Sequence, residues 1–88
     1  MDNNFEQILK FAINSIFTST NLNLNEKDFL FYENILDTAL DIPNLSDVEI
    51  KYIQLLLSAL NLIPNKTLKF SLLEKELTYK IIRKSDIN

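Results

Sequence analysis

The chain has 88 residues and a formal net charge of −3, and it contains no cysteine, no histidine and no glycine. Those absences exclude disulfides, thiol nucleophiles, imidazole acid–base chemistry and zinc sites. They also exclude P-loops and dinucleotide fingerprints, which need glycine where the backbone approaches phosphate.

Composition is otherwise that of a globular protein, 47% hydrophobic and 24% charged, and the length suits a single domain over residues 1–88 with a modest core. Charge is segregated: residues 1–65 hold nine acidic and three basic groups, whereas residues 66–84 hold six basic and two acidic ones. The acidic, polar start MDNNFEQ lacks the form of a secretory signal, and the uncharged run from Tyr52 to Asn65 is too short to cross a bilayer. A cytoplasmic location is the expectation. In that setting Asn44-Leu45-Ser46 and Asn65-Lys66-Thr67 are chance matches to a glycosylation signal.

The first predicted helix, roughly 4–19, opens at Asn3 or Asn4 as N-cap and places Phe5, Ile8, Leu9, Ala12, Ile13 and Ile16 on one face. Phe11 projects among its polar positions, which marks it either as covered by a neighbouring element or as a contact residue for a partner. A polar connector, TSTNLNLN, follows, with Leu22 and Leu24 expected to tack it onto the core.

Asn25 caps the second predicted helix, 26–41, and Glu26 and Asp28 fall in the first turn, where the helix dipole favours negative charge. Phe29, Phe31, Tyr32, Ile35, Leu36, Ala39 and Leu40 make its apolar arc. Glu26, Glu33, Asp37 and Asp41 form the outer face, with Leu30 outward among them. Like charges at i,i+4 repel by only a few tenths of a kcal/mol. A solvated face is therefore compatible with the pattern, and so is an acidic strip that docks on a basic protein surface with Leu30 as its anchor. Calcium loops space their oxygens around a turn, so this helical strip is a poor metal site, and no metal or cofactor is expected.

After the tight link Asp41-Ile42-Pro43-Asn44, the third predicted helix, 46–62, has the best-marked start in the chain. Ser46 and Glu49 are spaced as a capping box, and Leu45 and Ile50 as a hydrophobic staple. Only Asp47, Lys51, Gln54, Ser58 and Asn61 make a polar strip, so the helix needs neighbours on several sides. Asn61 in a left-handed conformation, followed by Pro64, is the expected stop. With Lys51 as its one exposed cation, this helix is unsuited to reading a DNA groove.

The segment 67–84 fits two structures. As a helix it carries Phe70, Leu73, Leu77 and Ile81 on one stripe, with Leu68, Leu72, Tyr79 and Ile82 toward the other side and Ser71 and Glu74 spaced as a capping box. As a hairpin with Leu73–Glu76 as its loop, it pairs Leu72 with Leu77 and Phe70 with Tyr79, but sets Lys69 against Lys80 and lacks turn residues.

The expected fold is all-α, a small bundle of about four helices with the third central; the alternative is three helices plus a C-terminal β-hairpin. No motif is specific enough to name a family. The expected function is non-catalytic protein binding by a regulator, inhibitor or immunity-type antagonist. The candidate contact residues are Glu26, Leu30, Glu33, Asp37, Asp41 and Phe11, and the partner would be a protein with a basic surface. Homodimerisation is an additional expectation, because the third helix has more apolar arc than short neighbours can cover. The alternative function is a winged-helix-like DNA-binding regulator that contacts phosphates through Lys66, Lys69, Lys75, Lys80, Arg83 and Lys84.

Overall fold

The structure, a computed structural model, describes residues 4–18, 25–64 and 66–87. It is a four-helix bundle: α1 (Asn4–Phe17), α2 (Glu26–Asp41), α3 (Asp47–Leu60) and α4 (Leu68–Ile87), with no strand among the described residues. The C-terminal segment is therefore helix, and the hairpin alternative is excluded. The strong helix formers of LEKE continue the helix at the point where a hairpin would have to turn. The possible Asn3 cap and the anchoring of Leu22 and Leu24 lie outside the described residues.

Local devices set the helix starts. Asn25 Oδ1 accepts from the Asp28 N–H at 2.9 Å, which caps α2. The capping box of α3 closes in both directions, with the Glu49 N–H donating to Ser46 Oγ at 3.0 Å and the Ser46 N–H donating to Glu49 Oε1 at 2.8 Å. At α4 the hydroxyl of Thr67 accepts from the Phe70 N–H at 2.9 Å, so Thr67 is the cap and the Ser71/Glu74 spacing is not used. The stop of α3 also differs from expectation. Asn61 is right-handed (φ −69°, ψ −14°), and the chain leaves through tightened turns, Leu62 N–H to Ala59 C=O and Ile63 N–H to Leu60 C=O, each 3.1 Å.

The helices pack in two close pairs, α1 with α3 and α2 with α4. Lys10 of α1 lies over the Tyr52 ring of α3 at 5.8 Å. Phe29 and Phe70 meet edge to face at 6.0 Å near the starts of α2 and α4, and Lys80 reaches the carbonyls of Ala39 and Leu40 near their ends. These two helices therefore run in the same direction. Among the largest fully buried side chains, Ile53, Leu56, Leu60 and Ile63 come from α3 and the turn after it, which gives that segment its place in the core beside Leu9, Leu36, Phe70 and Leu77. The bundle measures 39 × 28 × 17 Å, two helices thick across its short axis. A slab that thin leaves every helix one wet side, so Val48, Leu55 and Leu62 of the α3 segment stay exposed.

Candidate protein-binding surface

The outer side of α2 carries Glu26, Leu30, Asp37 and Asp41, all exposed, with Leu30 half-exposed at 50% among the three carboxylates. None of these carboxylates has an ion-pair partner among the described residues. The strip is thus an apolar anchor in line with three carboxylates, flanked by the exposed Lys27 and held on a capped, well-packed helix.

Glu33 does not belong to it. Its exposure is only 6%, and its carboxylate accepts from the Thr67 hydroxyl at the start of α4. The reason lies in the helical spacing. Glu33 follows Phe29 by four residues and precedes Leu36 by three and Leu40 by seven, which puts it on the edge of the apolar arc, facing α4. That spacing was available in the sequence; the regular acidic pattern with Asp37 and Asp41 obscured it. In place, Glu33 sets a negative charge at the positive end of α4.

Phe11 is 63% exposed, so none of the described elements more than partly covers it. Its ring meets Phe31 edge-on at 6.4 Å, and Phe31 in turn meets Tyr32 at 5.2 Å. Phe11 therefore contacts α2 beside the acidic strip rather than within it, on an aromatic ridge between α1 and α2.

The basic C-terminal set divides. Lys66, Lys69, Lys75 and Arg83 are exposed. Lys80 is part-buried, and its ammonium donates to the carbonyls of Ala39 and Leu40, each at 2.9 Å, and to that of Ile42. Lys84 donates to the Leu45 carbonyl and lies 3.8 Å from the exposed carboxylate of Asp47. These two lysines close the α2–α3 link, and Lys80 satisfies orphan carbonyls at the end of α2. They are not free phosphate contacts, and the expected pairing of Lys69 with Lys80 across a hairpin does not exist. The placement again follows from spacing: Lys80 and Lys84 lie three and seven residues after the buried Leu77.

Between the link and α4 runs an open groove of about 530 Å³. Leu45, Ile50 and Ile81 form its apolar wall and Tyr79 and Arg83 its rim, with the guanidinium 5.7 Å from the Tyr79 ring. A second apolar surface is the outward side of α4, where Leu68, Leu72, Tyr79 and Ile82 are exposed. The sequence placed these four opposite the core stripe, but with the segment's fold open between helix and hairpin they pointed to no site.

Among the described residues no helix is long and apolar enough to cross a membrane, and no three acidic side chains converge as a metal cage would require. Comparison of the chain with protein-family models, curated protein sequences and solved structures gives no match.

Proposed function

We propose that this protein is a small, non-catalytic binding module that acts by occupying a basic surface on another protein, as a regulator, inhibitor or immunity-type antagonist does. The observation that carries this reading is the strip on α2: Glu26, Asp37 and Asp41 exposed and unpaired around the half-exposed Leu30. An apolar anchor with Glu26 one turn before it and Asp37 and Asp41 two and three turns after it on the same side suits recognition, since the charges steer a cationic partner and the leucine fills a pocket on it. Loss of Glu33 from the strip leaves this arrangement intact. The nucleic-acid reading loses its support, because the wing is a helix and two of its six cations are hydrogen-bonded to the protein's own backbone.

The test is affinity capture from the native cell extract with the wild-type chain and with Glu26→Lys/Asp37→Lys/Asp41→Lys. The expected result is a captured basic protein whose retention weakens with salt and is lost in the triple variant, while helical circular dichroism is unchanged. Retention of the same partner by the folded triple variant overturns the proposal.

A further inference from the structure

The groove between the α2–α3 link and α4 is charged against the trend of the molecule. Lys80, Arg83 and Lys84 are among its lining residues and no carboxylate is, in a chain whose net charge is −3. Its apolar wall is Leu45 of the link, Ile50 near the start of α3, and Ile81 of α4. At about 530 Å³ it falls inside the range of roughly 300–1,000 Å³ that holds small molecules.

The three cations are not equivalent. An ammonium has three N–H donors, and Lys80 spends all of them on the carbonyls of Ala39, Leu40 and Ile42. It adds positive potential to the groove but no free donor. Lys84 gives one N–H to the Leu45 carbonyl and stands 3.8 Å from the carboxylate of Asp47, whose side chain is fully exposed and outside the groove lining. That separation is too long for a hydrogen bond, so donors remain on Lys84. Arg83 makes no hydrogen bond or ion pair with the described residues, and its guanidinium lies at the rim, 5.7 Å from the Tyr79 ring. A guanidinium offers two parallel N–H groups to the two oxygens of one carboxylate. The groove thus sets a free fork, a second donor and a part-buried positive charge at the edge of an apolar wall.

We infer that this groove is a binding site for a small carboxylate with an apolar body. Arg83 donates to the carboxylate with Lys84 beside it, and the body lies against Leu45, Ile50 and Ile81. Charge selects this class, because a cationic molecule on the same wall would face three like charges. Size selects it too. Three apolar side chains are too little wall for a protein interface, which takes about 20–30 residues a side, and enough for one small molecule. The site shares no residue with the acidic strip of α2 and stands independently of the function proposed above.

The test is an amide NMR titration of the full chain at low salt with octanoate, taken through roughly 10 mM so that millimolar binding is captured. Octylamine and octyl phosphate serve as comparison ligands with the same apolar body. Octanoate should shift the amides of Leu45, Ile50, Ile81 and Arg83 to saturation, and octylamine should leave them in place. Arg83→Gln, at an exposed position, should weaken octanoate about tenfold or more with helical circular dichroism unchanged. Added salt should weaken it as well.

The site is overturned by the absence of saturable shifts, by equal binding of octanoate and octylamine, or by octanoate binding that survives Arg83→Gln. Shifts centred on the exposed Leu68 and Leu72 instead of the groove overturn it too, since they would report mere adherence to apolar surface. Tighter binding of octyl phosphate overturns the carboxylate head. Tighter binding of an acidic peptide of alternating aspartate and leucine overturns the small-molecule occupant.

Discussion

Lys80 and Glu33, like Lys84, direct their charged groups to partners inside the molecule. The parallel run of α2 and α4 sets their dipoles side by side in the same sense, an unfavourable alignment. Glu33 offsets it at the start of α4, and the Lys80 ammonium offsets it at the end of α2 while satisfying three carbonyls. Removing the donor strands those carbonyls. Lys80→Met, which keeps the alkyl stem, should therefore cost about 1–2 kcal/mol, allowing for partial exposure, whereas Lys69→Met at an exposed site should stay within about 0.5 kcal/mol. Urea denaturation of the two variants side by side, at a concentration where the chain is monomeric, is the check. Equal stabilities would show that solvent replaces the ammonium without loss.

At the scale of the element, helix starts were the most legible features, because a cap is a contact between residues three apart. Asn25 and the Ser46–Glu49 box act as their spacing predicts. The start of α4 was misplaced because two hydroxyls, Thr67 and Ser71, were both available as caps. Thr67 prevails since its hydroxyl serves twice, accepting from the Phe70 N–H and donating to Glu33, a partner that only the α2–α4 packing supplies. Thr67→Ala should cost about 1–2 kcal/mol and speed amide exchange at the first turn of α4, with Ser71→Ala near neutral. Similar losses from the two substitutions would contradict this assignment.

For the whole molecule, thinness is the governing property. A slab 17 Å across cannot enclose any helix, so a chain that is 47% hydrophobic must leave apolar side chains at its surface. Some are scattered, while Val48, Leu55 and Leu62 of the α3 segment recur every seven residues and Leu68, Leu72, Tyr79 and Ile82 share the outward side of α4. The limited interior still perturbs one titrating group: burial, and then the nearby Asp28 carboxylate, raise the Tyr32 hydroxyl above its ordinary value of 10.0. The folded chain then keeps a proton that the unfolded chain gives up, so the unfolded state binds fewer protons and stability falls as pH rises. The Tyr32 contribution is complete below pH 10 and declines as pH climbs from the ordinary tyrosine value through the raised one. Tyr32→Phe, which cannot ionise, should flatten that part of the alkaline limb in urea titrations. An unchanged slope would mean that other groups set it.

The sequence by itself determined the first three helices and the caps at Asn25 and Ser46, because these follow from contacts within a turn or two of chain and from the 3.6-residue period, whereas the segment 67–84 fitted a helix and a hairpin alike until the structure showed α4. It also marked Glu26, Leu30, Asp37 and Asp41 as an outward strip. Only the tertiary structure decided that Glu33, Lys80 and Lys84 turn inward. Their partners, Thr67, the carbonyls of Ala39, Leu40 and Ile42, and that of Leu45, lie 34 to 41 residues away along the chain. Local periodicity cannot say which charge at the edge of a helix will meet a cap or an orphan carbonyl from another.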